Sequence, residues 1–122
     1  MKQPSICERR NVQAYKLAEH CKIDYKSART LLNRYYRYIA LEQRCNILEN
    51  DERYYNTRYQ IEQSNLEEKR YKELSTTLKR YNLKLFRPWS CSLIETFDGE
   101  TIVEPILYWS NSWFTCQRVN QH

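Results

Sequence analysis

The sequence predicts an α+β protein, and three observations carry that prediction. Residues 5–87 contain neither glycine nor proline and are rich in Glu, Lys, Arg, Leu and Gln, a composition that must be dominantly helical. After Pro88 the chain turns to Ser, Thr, Ile, Val, Trp and Phe, which lean toward strand. The only glycine, Gly99, follows Asp98 there, and Asp-Gly between β-prone runs marks a hairpin. The expected architecture is an N-terminal helix pair, long central helices folded as a helical hairpin, and a C-terminal β-hairpin or three-stranded antiparallel sheet. The regions divide at 1–50, 51–87 and 88–122.

Taken in order, Ala14, Leu17, Ala18 and Cys21 fall at i, i+3, i+4 and i+7 and make one apolar stripe, a short first helix. Ala28, Leu31, Leu32 and Tyr35 repeat that spacing. Asp24 precedes them as an N-cap, because its carboxylate can accept from the open backbone N–H groups of the next turn. Nothing interrupts this second helix before about Asn46–Asp51. A helix or helix pair then covers roughly 52–83, with a restart expected at Ser64, since Ser64-Asn65-Leu66-Glu67 matches a capping box. Tyr71, Leu74, Leu78, Tyr81 and Leu85 form a seam for another helix or for a second subunit, which makes a homodimer through the central helices one expectation. Glu68 and Lys72 make a weak i,i+4 surface pair. The strand region starts at Leu85–Pro88. Cys91–Phe97 and Thr101–Tyr108 are the two hairpin strands, joined by a type I′ turn with positive φ at both Asp98 and Gly99. Pro105 cannot donate to a ladder, so the second strand is an edge. Trp113–Cys116 supplies a third strand, and three Trp and three Phe residues are enough to cover one face of a small sheet.

The charge is distributed unevenly. Residues 1–40 hold nine Lys/Arg against three Asp/Glu, residues 41–82 hold eight against eight, and residues 83–122 hold three against four. The whole excess sits in the first third, which points to a polyanion-binding end. No apolar run approaches the length of a membrane span, and Met1–Glu8 have no apolar core of the secretory kind. Five widely spaced cysteines without a Cys-x-x-Cys pair suit reduced thiols in a cytoplasmic protein. A Cys91–Cys116 bridge stays open as the pairing of an exported form.

Residues 14–33, from Ala14-Tyr15-Lys16-Leu17-Ala18 through Lys22-Ile23-Asp24 to Ala28-Arg29-Thr30-Leu31-Leu32-Asn33, resemble a helix-turn-helix unit. Ala18, Ile23, Ala28 and Leu31 hold the small and apolar positions of such units, and Lys22 stands where the family usually has glycine in the turn. Burying the second stripe leaves Tyr25, Lys26, Ser27, Arg29, Thr30, Asn33, Arg34 and Arg37 on the opposite face. These are base-edge and phosphate-contacting residue types, and no acidic side chain but the capping Asp24 accompanies them. The resemblance implies a DNA-binding regulator of the phage or mobile-element kind. In general style the chain also resembles small phage-borne anti-CRISPR proteins, which implies an inhibitor of a host nuclease or its guide complex.

Arginine is followed directly by tyrosine six times, at 34–35, 37–38, 53–54, 58–59, 70–71 and 80–81, where chance pairing gives about one. Such pairs serve RNA, by phosphate contact and base stacking, or protein interfaces, for which Arg70, Tyr71, Arg80, Tyr81, Trp109 and Trp113 are the candidates. The structural alternative sets Tyr inside and Arg outside, since adjacent helical residues point about 100° apart. Catalytic patterns are missing. Only His20 and His122 are present, with no phosphate-cradling glycine loop, and Glu95, Asp98, Glu100 and Glu104 have no lysine beside them. The expectation is a non-enzymatic binding protein without metal, cofactor or membrane partner.

Overall fold

The computed structural model describes residues 5–49, 57–88 and 91–106. Helices α1 (Ile6–Cys21), α2 (Tyr25–Glu49) and α3 (Arg58–Lys79) precede strands β1 (Leu83–Phe86), β2 (Leu93–Thr96) and β3 (Thr101–Val103). The strands form one antiparallel sheet in the order β1-β2-β3. The fold is therefore α+β, as expected. No helix among the described residues is long and apolar enough to cross a membrane.

Each helix begins where a side chain can satisfy its open N–H groups. Ser5 caps α1 in a capping box: the Glu8 N–H donates to Ser5 Oγ at 3.1 Å, and the Ser5 N–H donates to Glu8 Oε1 at 2.7 Å. Asp24 caps α2 as expected, accepting from the Ser27 N–H at 3.2 Å and the Ser27 hydroxyl at 2.6 Å. These bonds, the hydroxyl's first, hold the Asp24 carboxyl below its ordinary pKa. Thr57 caps α3 by accepting from the Gln60 N–H at 3.1 Å. The Ser64 restart does not occur. α3 runs unbroken through it, and Glu67 turns its carboxylate to the Tyr38 hydroxyl instead of to a helix start. The helical hairpin is accordingly α2 against α3 rather than a pair within 51–87. They run antiparallel, with Arg44 beside Gln63 and Tyr38 beside Glu67 and Tyr71.

The turn between α1 and α2 is three residues long. Lys22 adopts the left-handed conformation (φ 58°), and the Ile23 N–H reaches back to the Ala18 carbonyl at 3.1 Å. Lys22 thus takes a conformation that favours glycine. α2 is 25 residues long.

The sheet starts earlier than expected. Asn82 (φ 60°) turns the chain out of α3, and Leu83–Phe86 pair with Leu93–Thr96, so Leu85 belongs to a strand rather than to the helical seam. Leu83–Phe86 thus provide the third strand, whereas Trp113–Cys116 lie outside the described residues. β3 ends at Val103, before Pro105, and among the described residues it pairs on one side only, with β2. Ile102 is the extra residue of a bulge opposite Ile94/Glu95, which lets both Ile102 and Val103 bury. The turn is not type I′. Gly99 (φ 96°) has positive φ while Asp98 does not; the Gly99 N–H donates to the Thr96 carbonyl at 3.0 Å and the Thr96 N–H to that of Glu100 at 2.9 Å. This is a three-residue loop, a type I turn closed by a left-handed glycine.

The core packs Ala14 and Leu17 of α1, the inner stripe of α2 from Ala28 to Ile39, Leu74 and Leu78 of α3, and Leu83, Ile94 and Val103 of the sheet. Among the described residues, the helices supply the apolar side chains packed with those of the sheet. Phe86 and Phe97 are 43% and 56% exposed, and Trp89, Trp109 and Trp113 lie outside the described residues.

Two substitutions test this backbone. Gly99→Val lowers stability by about 1–3 kcal/mol through conformational strain alone, because no atom within 4 Å obstructs a Cβ there. Lys22→Gly raises it by about 1 kcal/mol by relieving the left-handed lysine. Denaturant midpoints of the two variants against the parent chain measure both.

Candidate nucleic-acid interface

The site begins with the way α2 divides its faces. Tyr35, Tyr36 and Tyr38 each anchor a different neighbour. The Tyr35 hydroxyl donates to the Ser92 carbonyl at 2.7 Å. The Tyr36 hydroxyl donates to Gln13 of α1 at 2.6 Å and accepts from the Ile106 N–H at 2.9 Å, while the Arg10 guanidinium lies 3.7 Å from its ring centroid. Tyr38 packs on the Tyr71 ring of α3, its hydroxyl 3.2 Å from both Glu42 and Glu67. Burial, and then these two carboxylates, push the Tyr38 phenol far above its ordinary pKa, so it remains a donor.

One turn on, Glu42 has no exposure at all. Its carboxylate accepts from the Ser92 N–H at 2.9 Å, the Ser92 hydroxyl at 2.7 Å and the Arg87 Nε at 2.9 Å, with Arg87 Nη2 closing the pair. Burial by itself would lower the Arg87 pKa; the bonds to Glu42 and the charges of Glu42 and Glu67 outweigh it and raise it. This cluster, for which no local sequence pattern gives a signal, joins α2, α3 and both ends of the β1–β2 connection. Glu42→Ala leaves the Ser92 N–H unsatisfied and Arg87 without its buried partner. It costs about 3 kcal/mol in urea unfolding, whereas Glu62→Ala, which removes an exposed partner of Arg58, costs less than about 1.

With the tyrosines inward, the arginines beside them point out. Arg34, Arg37 and Arg44 are exposed on α2, Arg70 and Lys72 on α3, and Arg80 at the C-cap of α3. All six line one groove of about 860 Å³ between the helices, floored by Ala40, Leu41, Leu66 and Leu74. Glu73 is the only carboxylate of the lining, and it already pairs with Arg70 at 3.0 Å. Among the described residues no carboxylate bridges Arg34, Arg37 or Arg80. Lys72 sits 3.9 Å from Glu68 in the expected surface pair, which solvent screens.

The residues expected to meet nucleic acid divide into two groups. Lys26, Thr30, Asn33, Arg34 and Arg37 are exposed and continue to Ala40 and Arg44 along one side of α2. In the second group Tyr25 bonds Asn11 at 3.0 Å and stacks on Tyr15, and Arg29 is half-buried with its Nη1 enclosed. Ser27 is exposed but donates its hydroxyl to the Asp24 cap, as Thr30 of the first group donates its own to the Lys26 carbonyl at 3.1 Å. Lys26, Asn33, Arg34 and Arg37 are the members the structure opens most plainly to solvent. Of the residues expected at a protein interface, Arg70 and Arg80 face the groove, Tyr71 is exposed beside it, and Tyr81 packs against the core. Trp109 and Trp113 lie outside the described residues. Arg44 and Lys72 were missed, although Arg34, Arg37, Leu41 and Arg44 follow a legible helical spacing. Comparison with family models, curated proteins and solved structures finds no match for this chain.

Proposed function

We propose that this protein binds nucleic acid, with the outer side of α2 and the α2–α3 groove as one continuous surface. The observation that carries the reading is the groove lining: six cations from two helices face one another with a single carboxylate among them. Phosphates are met by arginines and hydroxyls in such settings, and Thr76 and Thr77 stand in the same lining. Lys26, Thr30 and Asn33 extend the surface toward the α1–α2 turn, which keeps the sequence resemblance to helix-turn-helix regulators within the proposal.

An inhibitor of a host nuclease complex is the second reading. The observation favouring it is that α3 leaves three large side chains exposed, Tyr59, Ile61 and Tyr71, of the kind that anchors protein interfaces.

The test is binding of fluorescently labelled mixed-sequence oligonucleotides, single-stranded and duplex, across a series of salt concentrations. Affinity for at least one of them falls steeply as salt rises, and Arg37→Glu with Arg80→Glu weakens it tenfold or more without shifting the melting temperature by more than a few degrees. Affinity that is flat in salt, or unchanged by the double reversal, removes the nucleic-acid reading.

A further inference from the structure

Resting on that reading, we infer that the α2–α3 groove takes one single strand of polynucleotide, bases toward its apolar floor and phosphates along its arginine walls. Three features of the groove select this occupant. The first is form. The trench runs between two antiparallel helices with cations on both sides, so an extended chain lying along it meets both charged rows. The second is polarity by depth. Ala40 and Leu66 are the open apolar residues between the helices, over the buried Leu41 and Leu74, while Arg34, Arg37, Arg44, Arg70 and Arg80 are exposed on either side. A duplex hides its bases and offers only sugar and phosphate, which would strip water from charged groups over leucine with nothing gained. A single strand has an apolar side and a charged side, and it matches both.

The third feature is length. Arg34 and Arg44 lie ten residues apart on α2, as do Arg70 on α3 and Arg80 at its C-cap, so each charged row extends about 15 Å. At about 3.4 Å per nucleotide of a stacked strand, each row is matched to four or five phosphates. An acidic amphipathic helix is the rival occupant. It needs a broad apolar stripe, and the floor supplies four aliphatic residues, of which Leu41 and Leu74 are already buried by their own neighbours.

The experiment measures fluorescence anisotropy with a labelled ten-nucleotide DNA of mixed sequence, the same sequence as RNA, and the blunt DNA duplex, between 50 and 200 mM NaCl. Both single strands are expected to bind at least tenfold more tightly than the duplex. About four phosphates neutralised on a single strand correspond to a slope of log affinity against log salt near −3. Arg37→Ala with Arg80→Ala removes two of these contacts and flattens the slope by about 1.4. Ala40→Asp places a carboxylate on the floor at an exposed position and abolishes single-strand binding, whereas Lys16→Ala, on α1 outside the groove lining, leaves the slope of groove binding unchanged. Circular dichroism melts establish that each variant is folded. Duplex binding as tight as single-strand binding, and equally sensitive to Arg37 and Arg80, overturns this inference while the nucleic-acid reading stands. Binding of none of the three polynucleotides overturns both. Displacement of the single strand by polyglutamate at equal charge concentration overturns the inference in favour of an acidic protein segment.

Discussion

The Glu42 carboxylate lies wholly out of solvent and takes donors from Ser92, Arg87 and Tyr38. A buried charge is tolerated only when its lone pairs are filled, so the elements carrying those donors cannot drift apart independently. Ser92 leads into β2, Arg87 follows β1, Tyr38 is on the same helix, and Glu67 of α3 joins through Tyr38 and Arg87. An apolar patch of the same size would hold the sheet against α2 without fixing its orientation. The directional bonds fix it, and with it the side of α2 that remains uncovered.

That uncovered side is where the arginines stand. On α2 the Arg-Tyr pairs place Tyr35 and Tyr38 in the core, 0% and 3% exposed, and leave Arg34 and Arg37 in solvent. One dipeptide repeated at helical spacing thereby builds the tyrosine anchors and the cationic row together. α3 completes the arrangement by sorting its own charges. Glu67 faces the Arg87–Tyr38 cluster, while Arg70 and Arg80 face the groove. Residues 41–82 are neutral in sum, yet of their described carboxylates only Glu73 lines the groove, while Glu42 and Glu67 turn to the Arg87–Tyr38 cluster. A segment with no net charge therefore contributes four of the six cations that line the groove, Arg44, Arg70, Lys72 and Arg80. The excess of residues 1–40 contributes the other two, Arg34 and Arg37.

Helix caps show how far local chemistry can be read. Asp24 is followed by a hydroxyl three residues on and by a clear apolar stripe, and it caps α2 as that pattern requires. Ser64-x-x-Glu67 carries an equally good capping pattern and lies mid-helix, because Thr57 has already started α3 and Glu67 has a better partner in the Tyr38 hydroxyl. Ser5-x-x-Glu8 is the box that forms. β1 was hidden for a related reason. Leu83 and Leu85 extend a helical seam in the sequence, and only the left-handed Asn82, followed by pairing to Ile94 and Thr96, makes them strand. The Asp-Gly hairpin was legible, but its turn type was not, since the choice between two and three loop residues depends on where the flanking strands register.

By itself the sequence determined what short-range physics controls: a helical stretch from the missing Gly and Pro, the start of α2 at Asp24, a β-hairpin at Asp98-Gly99, and a basic first third. Tertiary structure decided which faces meet. Glu42 reads as one more charged helical residue until Arg87 and Ser92, 45 and 50 positions away, are folded onto it. Arg70 and Arg80 read as a solvated face until α3 lies antiparallel to α2 and sets them opposite Arg34, Arg37 and Arg44. Periodicity reports the side of a helix on which a residue lies. The partner across from it comes from the long-range packing that buries the core.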